Sequence, residues 1–490
     1  MIRAILALGA IAALVSPAAA QQVAIDSGAV TGVTADSIAS FKGIPYAAPP
    51  LGAGRWSAPA PVQPWSAPRD ATAYGPDCMQ NPLPGIQPGS RPMSEDCLTL
   101  NVWTPKPAKG AKLPVMVWIH GGGFVGGSGT LPETDGAALA RRDVVIVSFN
   151  YRLGRFGFFA HPALGQDGNW GLMDQVAALK WVQRNIAAFG GDPAKVTIFG
   201  ESAGGESVSR LMASPVAKGL FARAIVASGG GRDDWPTLAD AQAKGQAFGA
   251  RAGAADAAAL RVLPADKVLG GLALMSKEED RYSGPMTDGT IVPAGAETIF
   301  AGGKQARIPY IIGSNDDELG FIPAPFRAMV NGPIEKSLGA ATTAVKAAYA
   351  SEDEANRRLG GDAMFAEPAL AFGLLQAHAG APTFLYRFGY VLEGQRKPDL
   401  GAVHASDVAF QFGNLPADAT AADRAAAKQL GDYWTNFAKT GDPNGSGLPV
   451  WSRLDPGAPR LLSMGIGTTI MASATSPALT AIAAARDGKK

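Results

Sequence analysis

The stretch from Lys195 to Gly205 reads KVTIFGESAGG. Its first part is apolar and β-branched, as in a strand, and its second part carries the pattern G-x-S-x-G at the start of an apparent helix. A strand that reverses into a helix this sharply needs glycine where a Cβ would clash. The stretch therefore predicts a nucleophile elbow, with Ser202 as the nucleophile and the Ala203 amide as a donor to an oxyanion.

A second glycine turn lies upstream of the elbow. The apolar run at residues 113–119 ends in the sequence HGGGF, residues 120–124. An HGGG turn after a strand supplies the other half of the oxyanion hole in lipases and esterases. We therefore expect the amides of Gly122 and Gly123 to be oxyanion donors. A flexible glycine turn without a catalytic role is the competing interpretation.

The nucleophile needs a base, and the chain has four histidines. His120 belongs to the glycine turn, His161 precedes the serine in a loop before a proline, and His378 lies near the end of an alanine- and leucine-rich helical stretch. His404 follows a strand-like segment and comes after the serine, as the chain order serine, acid, histidine requires. We predict that His404 is the base, although a lone loop histidine is more often a solvated surface residue.

The third member must be a carboxylate that orients the imidazole and stabilises its charged form. It should follow a strand between Ser202 and His404. The run IPYIIGSNDDE at residues 308–318 offers Asp316, Asp317 and Glu318, and Asp288 is a fourth candidate. The residues alone do not choose among the four.

Several further stretches resemble signatures of the type-B carboxylesterase family, whose relatives include the cholinesterases. The resemblance extends from about Gly28 to Trp451. The matching stretches are FKGIPYA (41–47), SEDCLTLNVW (94–103), NYRLG (150–154), GNWGLMDQ (168–175), FGGDP (189–193) and FAKTGDPN (437–444). The resemblance implies an α/β-hydrolase fold, with a mostly parallel central sheet flanked by helices and with helical insertions over an active-site gorge.

The family's site residues transfer to matching positions of this chain. The family's acid is the glutamate of a G-x-N-x-D-E pattern, which corresponds here to Glu318, with Asp317 as the fallback. The family's histidine motif, H-x-x-D followed by F-G, matches His404, Asp407 and the dipeptide at 412–413.

Two further residues match family positions beside the triad. They are Glu201 and Ser228, which the resemblance suggests as orienters of the triad through hydrogen bonds; a purely structural role is the alternative. The resemblance also implies a disulfide between Cys78 and Cys97, against the alternative of two free thiols.

The N-terminus predicts a secretory signal peptide at residues 1–20. Arg3 precedes an apolar stretch, residues 4–15, and Ala18-Ala19-Ala20 then offers a cleavage site. The stretch is too short to span a membrane, and no later segment has about twenty uninterrupted apolar residues. We expect cleavage after Ala20, export to a periplasm or to the outside, and a single domain at 21–490; a retained N-terminal anchor is the alternative. An oxidising compartment suits the disulfide.

Composition fits an ordinary globular chain, with 47% hydrophobic and 17% charged residues. The 43 basic and 42 acidic residues become equal in number once Arg3 is removed, so net charge does not steer a strongly charged substrate. We find no polybasic or nucleic-acid pattern, no metal-ligand spacing and no dinucleotide or phosphate-binding glycine motif. We expect no cofactor, no metal and no nucleic acid; the sequence does not indicate an oligomeric state.

Apolar patterns predict the main elements. Central strands are expected at 144–149, 196–199, 224–227 and 310–312, and a buried helix face at Leu172, Val176, Leu179, Val182 and Ile186. The segments at 237–282 and 321–358 are expected to form a helical cover. Trp434 and Phe437 are expected to pack from a last helix.

The predicted function is hydrolysis of small-molecule carboxylic esters by a secreted serine esterase. Cholinesterases bind their cationic alcohol on a tryptophan in the loop after the first cysteine, and the loop between Cys78 and Cys97 has none. A general carboxylic ester is therefore expected, with long-chain lipase activity as the runner-up. Some members of the family are adhesion proteins that lost the triad, so a binding role without catalysis is the third alternative.

Overall fold

The computed structural model describes residues 19–82, 91–232, 235–272, 284–398 and 400–488. Most of the strands form one large sheet. The strands are β1 Ala19–Ile25, β2 Gly28–Ala35, β3 Ile38–Pro45, β4 Arg69–Asp70, β5 Asp77–Cys78, β6 Met93–Ser94, β7 Thr99–Thr104, β8 Leu113–Ile119, β9 Val145–Phe149, β10 Gly191–Glu201, β11 Arg223–Ala227, β12 Tyr310–Asn315, β13 Thr383–Phe388, β14 Arg460–Gly465 and β15 Thr468–Ser473.

Helices fill the connections between the strands. They are α1 Ala137–Ala140, α2 Gly154–Gly157, α3 Trp170–Asn185, α4 Ala203–Ala213, α5 Leu238–Ala252, α6 Ala257–Arg261, α7 Ala265–Leu269, α8 Ala296–Ala301, α9 Arg327–Leu338, α10 Thr342–Ala347, α11 Glu352–Gly361, α12 Glu367–His378, α13 Val408–Phe412, α14 Ala421–Thr440 and α15 Pro477–Asp487. A π-helical turn, Asp362–Ala366, joins α11 to α12.

The middle of the sheet is parallel. Its order is β1-β2-β3-β7-β9-β8-β10-β11-β12-β13-β14-β15, with β4 paired to β2. Every neighbouring pair in the order from β9 to β14 is parallel. The neighbours β1-β2, β2-β3, β3-β7, β7-β9 and β14-β15 are antiparallel, the short β4 pairs parallel with β2, and β5 and β6 form a separate two-stranded sheet. The expected α/β class with a mostly parallel sheet is confirmed.

The central strands contain apolar runs because both faces of the sheet are covered. In β8, Val115 and Val117 belong to one buried cluster, and Met116 and Trp118 belong to the other. Successive side chains of a strand point to opposite faces, so each strand contributes to both cores. Because β8, β10, β11 and β12 run parallel, their carboxyl ends lie at the same edge of the sheet.

The predicted elements agree with the structure at most positions. All four expected strands are present, the expected face of α3 is buried, and the segments at 237–272 and 321–358 are largely helical. Residues 273–282 of the expected cover lie outside the described residues. The expectation that Trp434 and Phe437 stand on the last helix is wrong, because α15 follows α14.

The N-terminal prediction falls mostly outside the described chain. Residues 1–18 are not described, while Ala19 and Ala20 begin β1, paired with Thr34 and Val33 of β2. None of the helices in the described ranges is both long and apolar enough to cross a membrane. The expected disulfide between Cys78 and Cys97 is present, and it joins positions 19 residues apart.

Candidate active site

Ser202 lies at the turn between β10 and α4. Its φ is +56°, a value that a residue other than glycine seldom adopts, and its amide donates to the Ala227 carbonyl at 3.0 Å. A Cβ added to Gly204 would overlap the Ile119 carbonyl oxygen of the neighbouring strand. Strand and helix can approach this closely only with glycine at that position, so the predicted elbow is present.

The glycine loop, residues 120–127, lies against this turn. Gly122 and Gly123 have φ of +102° and +61°, and a Cβ added to Gly121 would lie 3.0 Å from the Ser202 Cβ. Within the described chain, no hydrogen bond is donated by the amides of Gly122, Gly123 or Ala203. Three amides beside the serine are thus available to a ligand oxygen.

His404 and Glu318 are in direct contact. His404 Nδ1 lies 2.7 Å from Glu318 Oε2, and the His404 amide donates to the Glu318 carbonyl at 2.8 Å. The other carboxylate oxygen, Oε1, accepts from Ser228 Oγ at 2.6 Å and from the Asn315 amide at 2.7 Å. The buried Glu318 carboxylate therefore accepts three hydrogen bonds, one of them from His404. Because a carboxylate only accepts, this contact places a proton on Nδ1 of the imidazole.

The other candidate carboxylates have different partners. Asp316 accepts from the Ala402 amide at 2.8 Å, and Asp317 accepts from the Gly401 amide at 3.1 Å. Asp288 accepts from Asn169 Nδ2 at 2.7 Å and also bonds the backbone of its own turn. Of the four carboxylates, Glu318 is the one in contact with His404.

The other three histidines, His120, His161 and His378, do not contact the candidate acid. His161 accepts from the Ala163 amide at 3.1 Å and begins a short helical turn, and His378 ends α12. His120 is buried and stacks on Tyr151 at 4.3 Å between ring centroids. Burial lowers the pKa of His120 to about 4, so this imidazole is neutral at pH 7.

The far side of His404 faces Glu201 and Phe365. His404 Nε2 lies 3.2 Å from Glu201 Oε1, and the Phe365 ring stacks on the imidazole at 4.5 Å. Glu201 directly precedes Ser202, so the imidazole lies at the elbow. The sequence did not point to Phe365, because its place depends on the π-helical turn before α12 and no motif marks that turn.

Burial and neighbouring charges shift the pKa values of Glu201, His404 and Asp407. Burial and the nearby carboxylates of Asp407 and Glu318 raise the pKa of Glu201 to about 8, against the opposing effect of His404. Burial would lower the pKa of His404, but Glu201 and Glu318 outweigh it and raise that pKa to about 9. Burial and Glu318 raise the pKa of Asp407 to about 6.

Asp407 connects the motif around His404 to the acid. Gln411 donates to Asp407 Oδ2 at 2.8 Å, and Asn315 Nδ2 lies 3.4 Å from Oδ1. Asn315 therefore contacts both carboxylates, through its amide to Glu318 and through its side chain to Asp407. Among the described residues, no group of three or more His, Cys, Asp or Glu side chains is arranged to hold a metal ion.

Comparison with known proteins identifies the family of the chain. The model of the carboxylesterase family matches residues 19–480. The chain belongs to the carboxylesterase family. This carboxylesterase is 39% identical over 455 residues to para-nitrobenzyl esterase of Bacillus subtilis (strain 168), covering 86% of this chain and 91% of the relative. It is 37% identical over 462 residues to fumonisin B1 esterase of Sphingopyxis macrogoltabida, covering 88% and 84%.

Solved structures of esterases share the fold of this carboxylesterase. A structure of PNB esterase superimposes with a TM-score of 0.84 at 34% identity, and it covers 94% of this chain and 99% of that one. A carboxylesterase of Geobacillus stearothermophilus superimposes with a TM-score of 0.80 at 34% identity, covering 92% and 97%. The α/β-hydrolase fold is thereby confirmed, and the chain is a carboxylic ester hydrolase.

Proposed function

We propose that this chain is an exported serine esterase that hydrolyses carboxylic esters through Ser202, His404 and Glu318. The observation that carries the proposal is the position of His404. Its Nδ1 is bound by the buried Glu318 carboxylate at 2.7 Å, and its Nε2 lies 3.2 Å from Oε1 of Glu201, the residue that directly precedes Ser202. A base that is oriented on one nitrogen and free to take a proton on the other is what serine attack requires.

The proposed reaction has two similar halves. His404 Nε2 takes the Ser202 proton as Oγ adds to the ester carbonyl, and the carbonyl oxygen becomes an oxyanion held by the amides of Gly122, Gly123 and Ala203. The positive N-terminal end of α4 lies at the same place. The tetrahedral intermediate collapses to an acyl-enzyme as the alcohol leaves with the proton from His404. Water then repeats the sequence and releases the acid.

Ser228 and Glu201 have supporting roles in this proposal. Ser228 donates to Glu318 Oε1 at 2.6 Å, and this bond directs the other oxygen of the carboxylate to His404. Glu201 lies 3.2 Å from His404 Nε2 and sets the electrostatic environment of the base. Neither side chain exchanges a proton with the substrate.

The proposed substrate is a general small-molecule carboxylic ester, small or aromatic, and not a choline ester. Support comes from the formally neutral chain after residue 20 and from the absence of tryptophan between Cys78 and Cys97 in the sequence. The names of the relatives, fumonisin B1 esterase and para-nitrobenzyl esterase, also indicate esters of varied structure. A non-catalytic binding role is disfavoured because all three triad residues are present.

Hydrolysis of a chain-length series of p-nitrophenyl esters tests the proposal. Wild type should prefer short chains, and Ser202→Ala should abolish turnover. The matched control is Ser209→Ala, since Ser209 is buried in α4, the helix that follows Ser202, where its hydroxyl lies 3.4 Å from that of Tyr310. A preference for emulsified long-chain esters would instead indicate a lipase. Equal rates in wild type and Ser202→Ala, or no hydrolysis by either, would refute the serine mechanism.

Export is the second part of the proposal. The alanine-rich segment before Gln21 and the disulfide support it, since disulfides persist in oxidising compartments. Sequencing the N-terminus of the protein recovered from the periplasm or medium of a bacterial host should give Gln21 as the first residue. Full-length protein confined to the cytoplasm would contradict export.

A further inference from the structure

A buried glutamine connects the disulfide to the glycine loop. Gln80 is 8% exposed and lies two residues after Cys78. Its side-chain oxygen accepts from the Gly127 amide at 2.9 Å, and its side-chain nitrogen donates to the Gly127 carbonyl at 2.9 Å and to the Cys78 carbonyl at 3.1 Å. We propose that Gln80 is a positioning residue for the oxyanion hole, an inference that rests on the esterase mechanism proposed above.

Gly127 packs directly on the residues that form the hole. A Cβ added to Gly127 would overlap the Gly121 carbonyl oxygen, and one added to Gly122 would overlap the Gly126 carbonyl. The Gly122 carbonyl also accepts from the amides of Val125 and Gly126, each at 3.1 Å. The loop thus folds back on itself, and a displacement of Gly127 moves the backbone that presents the Gly122 and Gly123 amides.

Asp77 binds the residues that directly follow the glycine loop. Its Oδ1 accepts from the Ser128 hydroxyl and from Thr130 Oγ1, the latter at 3.0 Å, and all three side chains are buried. Cys78 lies between Asp77 and Gln80 and is covalently joined to Cys97, which leads into β7. The segment that clamps the loop is therefore anchored to the sheet by the disulfide.

The two bonds to Gly127 need both a donor and an acceptor on one side chain. A primary amide supplies both, whereas an ionised carboxylate supplies acceptors alone and a thioether supplies no donor. Oxyanion donors act at fixed distances from the developing charge, and a misplacement of about 1 Å costs a large factor in rate. Gln80 is placed to limit such movement without touching the substrate.

Substitution by methionine tests the inference because it keeps the size of the side chain. In Gln80→Met we expect kcat on p-nitrophenyl acetate to fall on the order of tenfold or more. The loss should be smaller than the roughly 10²–10³-fold fall in kcat that follows complete removal of one oxyanion donor, because the amides are displaced and not removed. KM should stay within about twofold, because the substrate carbonyl relies on these amides far less than the oxyanion does. The affinity for a trifluoromethyl ketone, which adds to the serine to give a bound oxyanion, should fall in parallel with kcat.

The matched control is Gln376→Met, on α12. Gln376 is buried as well, and its side-chain nitrogen donates to the carbonyls of Ala306 and Ile308. It should lower the melting temperature without changing kcat or the ketone affinity. Equal kcat in wild type and Gln80→Met, or equal losses in the two variants, would overturn the positioning role. A serine-dependent wild type with an unaffected Gln80→Met leaves the esterase mechanism intact.

Gln80→Glu provides a second test if the methionine variant fails to fold. A protonated carboxyl group has one donor and one acceptor and can form both bonds to Gly127, whereas its ionised form cannot. The ratio of kcat in Gln80→Glu to kcat in wild type should therefore rise as the pH is lowered. A ratio that stays constant with pH would contradict the inference.

Discussion

At the scale of single residues, His404 lies between two carboxylates. Glu318 contacts Nδ1 at 2.7 Å and Glu201 lies 3.2 Å from Nε2. The residues alone left four carboxylates as candidates, because consecutive acidic residues differ only in where a turn directs each side chain. The family pattern selected Glu318. The carboxylates of Asp316 and Asp317 instead accept hydrogen bonds from the backbone amides of Ala402 and Gly401.

Replacing Glu318 should leave the fold intact and greatly lower kcat. In Glu318→Gln the amide nitrogen can donate to His404 Nδ1 and hold the wrong tautomer, so kcat should fall on the order of 10³–10⁴-fold. Asp317→Asn is the control, and its kcat should stay within a few-fold of wild type. Steady-state kinetics with circular dichroism checks both. Near-normal turnover by Glu318→Gln would transfer the role to another carboxylate.

The pH dependence should reflect the carboxylates around His404. The unperturbed value predicts a rise in activity near pH 6.5, but Glu201 and Glu318 raise the pKa of His404 to about 9 despite its burial. The base acts when neutral, so kcat/KM should rise with pH at a midpoint above 6.5. In Glu201→Gln one neighbouring negative charge is lost, the pKa of His404 falls, and the midpoint should move to lower pH. Identical midpoints in the two proteins would exclude this coupling.

At the scale of elements, the strands that the sequence predicted have their apolar runs buried on both faces. The apolar runs of β8, β10, β11 and β12 are continuous because helices cover each side, and the glycine motifs mark where β8 and β10 end. The edges were not predicted. In β15 the side chains are exposed or half-buried, so burial imposes no apolar pattern there. The π-helical turn that directs Phe365 to His404 likewise leaves no periodicity to recognise.

The elbow should tolerate no side chain at Gly204. In Gly204→Ala the new Cβ would overlap the Ile119 carbonyl, so the free energy of unfolding should fall by about 1–3 kcal/mol, with a loss of activity as the turn shifts. Gly394→Ala is the control, because a Cβ there has nothing within 4 Å. Chemical denaturation and ester hydrolysis report the two effects. Unchanged stability in Gly204→Ala would show that the strand and helix can separate.

At the scale of the whole molecule, the site is assembled from distant parts of the chain. The glycine loop follows β8, the serine follows β10, Glu318 follows β12 and His404 follows β13. The motifs gave the residues and their order, and the parallel sheet brings together ends of strands that lie far apart in sequence. The disulfide between Cys78 and Cys97 adds a covalent link beside this assembly.

Removing the disulfide should weaken the whole fold. Cys78→Ala/Cys97→Ala frees the unfolded chain from a loop constraint, and the free energy of unfolding should fall by about 3 kcal/mol. Equilibrium denaturation of the double variant and of oxidised wild type measures the difference. The same midpoint and slope in both would mean that the bond contributes nothing to the stability of this chain.

The positions of Ser202 and His404 along the chain determine when each residue is available during synthesis. The ribosome makes the serine long before the histidine, and the segment of His404 follows β13, which pairs with β12, itself paired with β11. Contacts between such distant segments form late in folding. A nascent or prematurely terminated chain that ends before β13 therefore contains Ser202 but lacks the base, and catalysis begins only after the segment that carries His404 has been made.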